Sequence, residues 1–164
     1  MKNFLYSILF LSVILISCGK DDKTCNINDS TVTASASEVT SVETYLANAG
    51  ITGAQKHPSG FYYKITQAGT GRAVVNLCSA ITINYVGRVH TGAEFDRSPA
   101  GQPRTFTLGQ LIVGWQKGIP LISSGGKITL YIPPSLAYGN NPPQGSVITS
   151  TSILVFDIEL LGVS

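Results

Sequence analysis

Trp115, the only tryptophan in the chain, stands between Gly114 and Gly118, and other aromatic residues are scattered among turns: Phe95 beside Asp96, Phe106, Tyr138 beside Gly139, and Phe156. Rings of this kind act by packing and by excluding water, with a hydroxyl or carboxylate supplying the polar tip. Tyr138 is the most telling, because a phenol in a glycine-containing turn after Pro133-Pro134 is poorly placed for burial and well placed to meet a ligand. Trp115, Tyr85, Ile148 and Phe156 read equally well as ordinary core or strand residues, and Asp96 as a turn acid. Covalent and metal chemistry has no comparable footing: the chain has no G-x-S-x-G, H-E-x-x-H, C-x-x-C or G-x-x-x-x-G-K pattern. His57 and His90 lack ligand-spaced companions, so neither a metal nor a cofactor is expected. Gly69-Thr70-Gly71 lacks the third glycine of a dinucleotide fingerprint and reads as a turn.

The elements that must position these residues are legible from periodicity. Val39, Val42, Tyr45, Leu46 and Ala49 recur at helical spacing, with Ser37 expected to cap the helix and Gly50 to end it. Beyond Gly60 the period becomes two: Phe61, Tyr63 and Ile65 alternate with Tyr62, Lys64 and Thr66. Three further strands show one apolar face each, through Ile81, Ile83 and Tyr85, through Ile128, Leu130 and Ile132, and through Leu154, Phe156, Ile158 and Leu160. Between them only Ile112 to Ile122 has room for a helix, and Gly118 and Pro120 limit it to a couple of turns. One-sided strands need a single cover, so the expected fold is α+β, a curved antiparallel sheet wrapped around one short helix with a short helical extension at the N-terminus.

The start of the chain reads as an export signal. Lys2 precedes an apolar run from Phe4 to Ile16, shorter than the ~20 residues that span a bilayer. Leu15-Ile16-Ser17-Cys18 resembles the lipobox of bacterial lipoproteins, which implies acylation of Cys18, and Gly19-Lys20-Asp21-Asp22 resembles the acidic surface-export signals of Bacteroidetes lipoproteins. The expected map is a signal peptide at 1–17, a flexible linker at 18–36 rich in Ser, Thr, Asn and Asp, a helical lead-in at 37–58 and one globular domain at 59–164. The domain is then expected in the cell envelope, held by lipid on a membrane, the outer membrane first, with the periplasmic and surface faces both open. Charge is sparse and nearly balanced, with a formal net charge of +2 and no Lys/Arg run, which excludes a nucleic-acid partner. Cys25 and Cys78 either pair, as an oxidising compartment allows, or remain free thiols; spacing does not decide.

A family resemblance rests on ordered motifs: Tyr85-Val86-Gly87, Gly92-Ala93-Glu94-Phe95-Asp96, Phe106-Thr107-Leu108-Gly109, Ile112-Val113-Gly114-Trp115, Ile132-Pro133-Pro134-Ser135-Leu136-Ala137-Tyr138-Gly139 and Leu154-Val155-Phe156-Asp157-Ile158-Glu159-Leu160-Leu161. Across Ser59 to Val163 the sequence closely resembles the FKBP-type peptidyl-prolyl cis-trans isomerases, and Ser37 to Pro58 resembles the helical lead-in of lipoproteins in that family. The resemblance implies an apolar cup floored by Trp115 and walled by Tyr85, Phe95, Leu111, Ile112, Tyr138, Ile148 and Phe156, with Asp96 at the rim and Phe106 behind. It places the flanking glycines where backbone passes close to the indole, and it implies proline-containing polypeptides as substrates and macrolides such as tacrolimus or rapamycin as inhibitors. Three features depart from the family pattern: Arg104 at an expected apolar wall, a segment Arg97 to Gln102 without the usual arginine partner for the aspartate, and Thr149-Ser150-Thr151 in place of Pro-Pro. An FKBP-like binding module or chaperone with little catalysis, or a surface lipoprotein that uses the scaffold to attach a partner, are the competing expectations.

Overall fold

The computed structural model describes residues 25–164, so the expected signal segment, Cys18 and the acidic residues after it lie outside the described residues. The first helix, α1, runs Ala36–Asn48 and is capped by Ser35 rather than Ser37. Of the two serines only Ser35 has a glutamate at the third helical position, and the pair closes a capping box: the Glu38 N–H donates to Ser35 Oγ at 3.3 Å and the Ser35 N–H to Glu38 Oε2 at 3.0 Å. At the other end Gly50, at φ 65°, donates to Ala47 O and Ile51 donates to Leu46 O, the paired bonds that close a helix through a left-handed glycine.

Seven strands form one antiparallel sheet: β1 (Gln55–Lys56), β2 (Tyr62–Gln67), β3 (Ala80–Val89), β4 (Glu94–Arg97), β5 (Arg104–Thr107), β6 (Gly126–Ile132) and β7 (Leu154–Val163). Their spatial order is β1-β2-β6-β7-β3-β4, with β5 also paired to β3. The short second helix, α2 (Val113–Gly118), lies against the apolar face made by Ile81, Ile83, Leu130, Ile132, Leu154 and Leu160, all essentially unexposed. Gly114 and Gly118 have a different purpose from the one the resemblance implied. A Cβ at Gly114 would sit 2.6 Å from Ile132 Cδ1, and one at Gly118 2.7 Å from Leu130 Cδ2, so the glycines let α2 lie directly on β6 while Trp115 points elsewhere.

The sheet is not one-sided. Val42 and Leu46 of α1 pack on Tyr131 and Ile153, with Tyr62 and Val155 beside them, forming a second core on the outer face. Tyr131, which alternation assigns to solvent, is therefore only 5% exposed. Ile65, assigned to the core, is exposed near a register shift between Ile65 and Gln67. The Tyr62 hydroxyl donates to Glu43, adding a polar tie between α1 and β2.

Cys25 and Cys78 are joined in a disulfide, with Cα atoms 5.6 Å apart. The stretch from Cys25 to Ser35, expected as flexible stem, has no helix or strand but is pinned at both ends, by that bond and by Ala34 N–H to Ser59 O at 2.9 Å. Between these ties Ile27 lies on Gly109, where a Cβ would come within 2.8 Å of Ile27 Cδ1.

Candidate active site

β3, β4, β5, β7 and the segment leading into α2 together enclose a cup of about 220 Å³. Its aromatic residues stand edge-to-face around the indole: Trp115 to Phe156 at 4.9 Å between centroids, Tyr85 to Trp115 at 5.2 Å, and Phe95 to Phe156 at 5.4 Å. In such a pair the positive edge of one ring meets the electron-rich face of the other. Trp115 is 4% exposed, as a floor should be, and its indole N–H is buried without a hydrogen-bond acceptor among the described residues. Gly87 makes the wall possible. It pairs with Asp96 on β4 and with Phe156 on β7, and a Cβ there would come within 2.8 Å of both the Phe95 and Phe156 rings.

Among the described residues no guanidinium bonds Asp96 at the polar rim. Tyr85 donates its hydroxyl to Asp96 Oδ2 at 2.6 Å, and the Arg97 N–H donates to Asp96 Oδ1 at 2.8 Å, so both carboxylate oxygens are oriented. The Arg97 guanidinium turns away to Glu94. Burial, then the hydrogen bond to Asp96 and its negative charge, push the Tyr85 phenol well above its ordinary range, which keeps it a neutral donor. Tyr138 is half-buried at the mouth, and burial and the nearby Asp96 raise its phenol as well. Its hydroxyl has no hydrogen-bond partner among the described residues, and neither has the Ile112 N–H, which precedes the first turn of α2. The cup therefore combines aromatic walls with unspent donors at its edge.

Tyr85, Phe95, Asp96, Leu111, Ile112, Trp115, Tyr138 and Phe156 all line this cup. Ile148 is not among the lining residues; it is 6% exposed and packs in the main core cluster. Phe106 is placed further forward than the resemblance implied, half-buried on the wall with its ring 6.4 Å from that of Trp115. Arg104 is exposed on β5 and lies outside the lining, so it does not replace a wall. Thr149-Ser150-Thr151 forms its turn with hydroxyls instead of prolines, the Thr149 N–H donating to Ser152 Oγ at 2.9 Å and the Ser152 N–H to Thr149 O at 3.1 Å.

Two glutamines escape sequence reasoning. Gln110 lines the cup, and Gln116 Nε2 donates to Gly109 O at 3.2 Å and Leu111 O at 2.7 Å, fixing the segment that presents Ile112. Gln116 lies one residue after Trp115, but nothing in its type or spacing indicates where its amide reaches. A larger groove of about 510 Å³ crosses the outer face of the sheet. Its polar groups are already paired, Lys127 and the Asn84 amide with Glu159, and Asp157 with Arg88 and the Thr129 hydroxyl, which leaves the aromatic cup as the better candidate.

Residues 72–161 match the family described as FKBP-type peptidyl-prolyl cis-trans isomerase. The chain is 44% identical over 112 residues to the isomerase FkpA of Buchnera aphidicola subsp. Schizaphis graminum, an overlap covering 68% of this chain and 44% of that protein. The crystal structure of FkpA from Escherichia coli is similar at 37% identity and a TM-score of 0.68, over 79% of this chain and 60% of that one. A peptidyl-prolyl cis-trans isomerase from Pseudomonas syringae pv. tomato is similar at 29% identity and a TM-score of 0.67, over 82% of this chain and 99% of that one. The chain spans half or less of the length of the curated relatives it matches.

Proposed function

The chain belongs to the FKBP-type peptidyl-prolyl cis-trans isomerases, and from that premise we propose that its cup accelerates rotation about X-Pro bonds in exported polypeptides. The observation that carries the reading is the aromatic enclosure around Trp115 with two unspent donors at its rim, the Tyr138 hydroxyl and the Ile112 N–H. Rotating an X-Pro bond breaks no covalent bond; it requires loss of amide conjugation across a barrier of ~20 kcal/mol. A twisted amide is less polar than a planar one, so a site that strips water from the prolyl carbonyl favours the transition state over the ground state. Lowering the barrier by roughly 4 to 6 kcal/mol corresponds to ~10³- to 10⁴-fold acceleration.

The roles follow from placement. Trp115, Phe95, Ile112 and Phe156 hold the proline ring, while the Ile112 N–H and Tyr138 hydroxyl donate to substrate carbonyls. Asp96, oriented by Tyr85 and the Arg97 N–H, faces the polar part of the twisting amide. Tacrolimus and rapamycin, which mimic that geometry, are expected to occupy the same cup. The detergent-solubilised full chain at micromolar concentration should speed cis-to-trans relaxation of a short X-Pro peptide. An uncatalysed rate, with peptide still bound, would leave a binding module in place of the enzyme.

The same reading includes an anchor. We propose that residues 1–17 are removed as a signal peptide and that Cys18 is acylated, holding the domain on the envelope membrane, the outer membrane first. The lipobox-like Leu15-Ile16-Ser17-Cys18 supports this, and several acyl chains at about 0.8 kcal/mol per buried methylene would hold a domain firmly. The full chain should fractionate with membranes and Cys18→Ala should not; equal recovery of the two defeats the lipoprotein reading.

A further inference from the structure

Glu38 lies on α1, outside the 72–161 span that matches the family, yet its carboxylate is bonded to the loop that carries Tyr138. Oε1 accepts from the Ser135 N–H at 2.8 Å and Oε2 accepts from the Ser135 hydroxyl at 2.9 Å. A capping box needs neither bond, since its two reciprocal bonds run between Glu38 and Ser35. Pro133 and Pro134 have no N–H, so Ser135 supplies the first backbone donor of the loop, and Glu38 takes it. The loop then behaves as one piece: Leu136 is fully buried, and Ala137 and Gly139 on either side of Tyr138 both donate to Pro134 O, at 2.9 and 2.8 Å. α1 is itself fixed, with Val42 unexposed and Leu46 6% exposed on the outer face of the sheet. Partial burial works against ionisation of Glu38, but the donors from Ser35 and Ser135 outweigh it and hold the carboxyl below its ordinary value, so it is an anion at neutral pH.

We propose that Glu38 is a positioning residue for the reaction: it locks the Pro133–Gly139 loop onto α1 and so sets where the Tyr138 hydroxyl stands at the mouth of the cup. The helical lead-in thereby becomes part of the isomerase machinery. The inference rests on the reading that the Tyr138 hydroxyl serves the substrate.

A double-mutant cycle on the full chain tests it. Glu38→Ala and Tyr138→Phe should each lower kcat/KM by about five-fold, the size of one ordinary hydrogen bond. The double variant should be no slower than Tyr138→Phe alone, because Glu38 acts only through that hydroxyl. Ser35→Ala, which removes the cap side chain and leaves both Ser135 bonds in place, should lower Tm while keeping kcat/KM. If Glu38→Ala does not fold, Glu38→Gln keeps one oxygen for the Ser135 N–H but sets an amide against the Ser135 hydroxyl, and it should show a smaller loss that again vanishes in the Tyr138→Phe background. Additive losses, or full activity of the Glu38 variants while Tyr138→Phe is slow, overturn the positioning role alone. An unchanged rate for Tyr138→Phe overturns the role given to its hydroxyl and the positioning role with it.

Discussion

Trp115 illustrates what a single residue's type reveals and what it hides. Its uniqueness and its place among aromatic neighbours single it out in the sequence, and the structure puts it in the lining of the cup, 4% exposed with its N–H unpaired among the described residues. Tyr138 is legible for a similar reason, since a phenol behind two prolines has few other uses. Ile148 is not, because any apolar side chain near a pocket reads as a wall until the turn beside it is known. Gln116 is invisible, because a flexible amide reaches acceptors at Gly109 and Leu111 that sequence spacing does not reveal. At this scale the indole is its own probe: a macrolide ring packed on the floor changes the surroundings of Trp115, so emission should change saturably as tacrolimus or rapamycin is titrated. Flat emission together with no heat in calorimetry at high micromolar protein means that the cup is closed to such ligands.

The elements were readable wherever one periodicity held. Alternation located β3, β6 and β7, and helical spacing located α1, but the second core under α1 went unseen because alternation assigns one face of every strand to solvent. Tyr62 and Tyr131 are amphipathic enough to serve either face, so only packing decides them. The glycines of α2 show a related limit: sequence marks them as special without saying which surface they approach. That surface is β6, and it yields a prediction. Gly114→Ala places a methyl carbon 2.6 Å from Ile132 Cδ1, so α2 must lift from the sheet or Ile132 must leave its rotamer, at a cost of about 1 to 3 kcal/mol. Urea unfolding should show a lower midpoint with an unchanged slope. Because α2 carries Trp115, the proposed isomerase activity should fall too, whereas Gly92→Ala, whose Cβ would meet nothing within 4 Å, should disturb only its own turn at φ 97°.

The whole molecule is tied together by the bond between Cys25 and Cys78, which the sequence left open and which closes a separation of 53 residues. Constraining a loop of that length in the unfolded chain stabilises the fold by roughly 4 kcal/mol on chain-entropy grounds. Reduction should therefore lower Tm by about 10 °C or more, with Cys78→Ser behaving like the reduced protein in both presence and absence of reductant; equal Tm values with and without reductant would show that the tether adds nothing. The strand order has a consequence of another kind, concerning time. β7, at Leu154–Val163, follows the other six strands of the described residues in the chain, yet it sits between β6 and β3 in the middle of the sheet. Until it arrives, Ile81, Ile83 and Tyr85 have no partner strand on that side, and the two halves of the sheet cannot join. A chain made from its N-terminus thus cannot join those halves until β7 has followed the other strands, and it closes them in one long-range step.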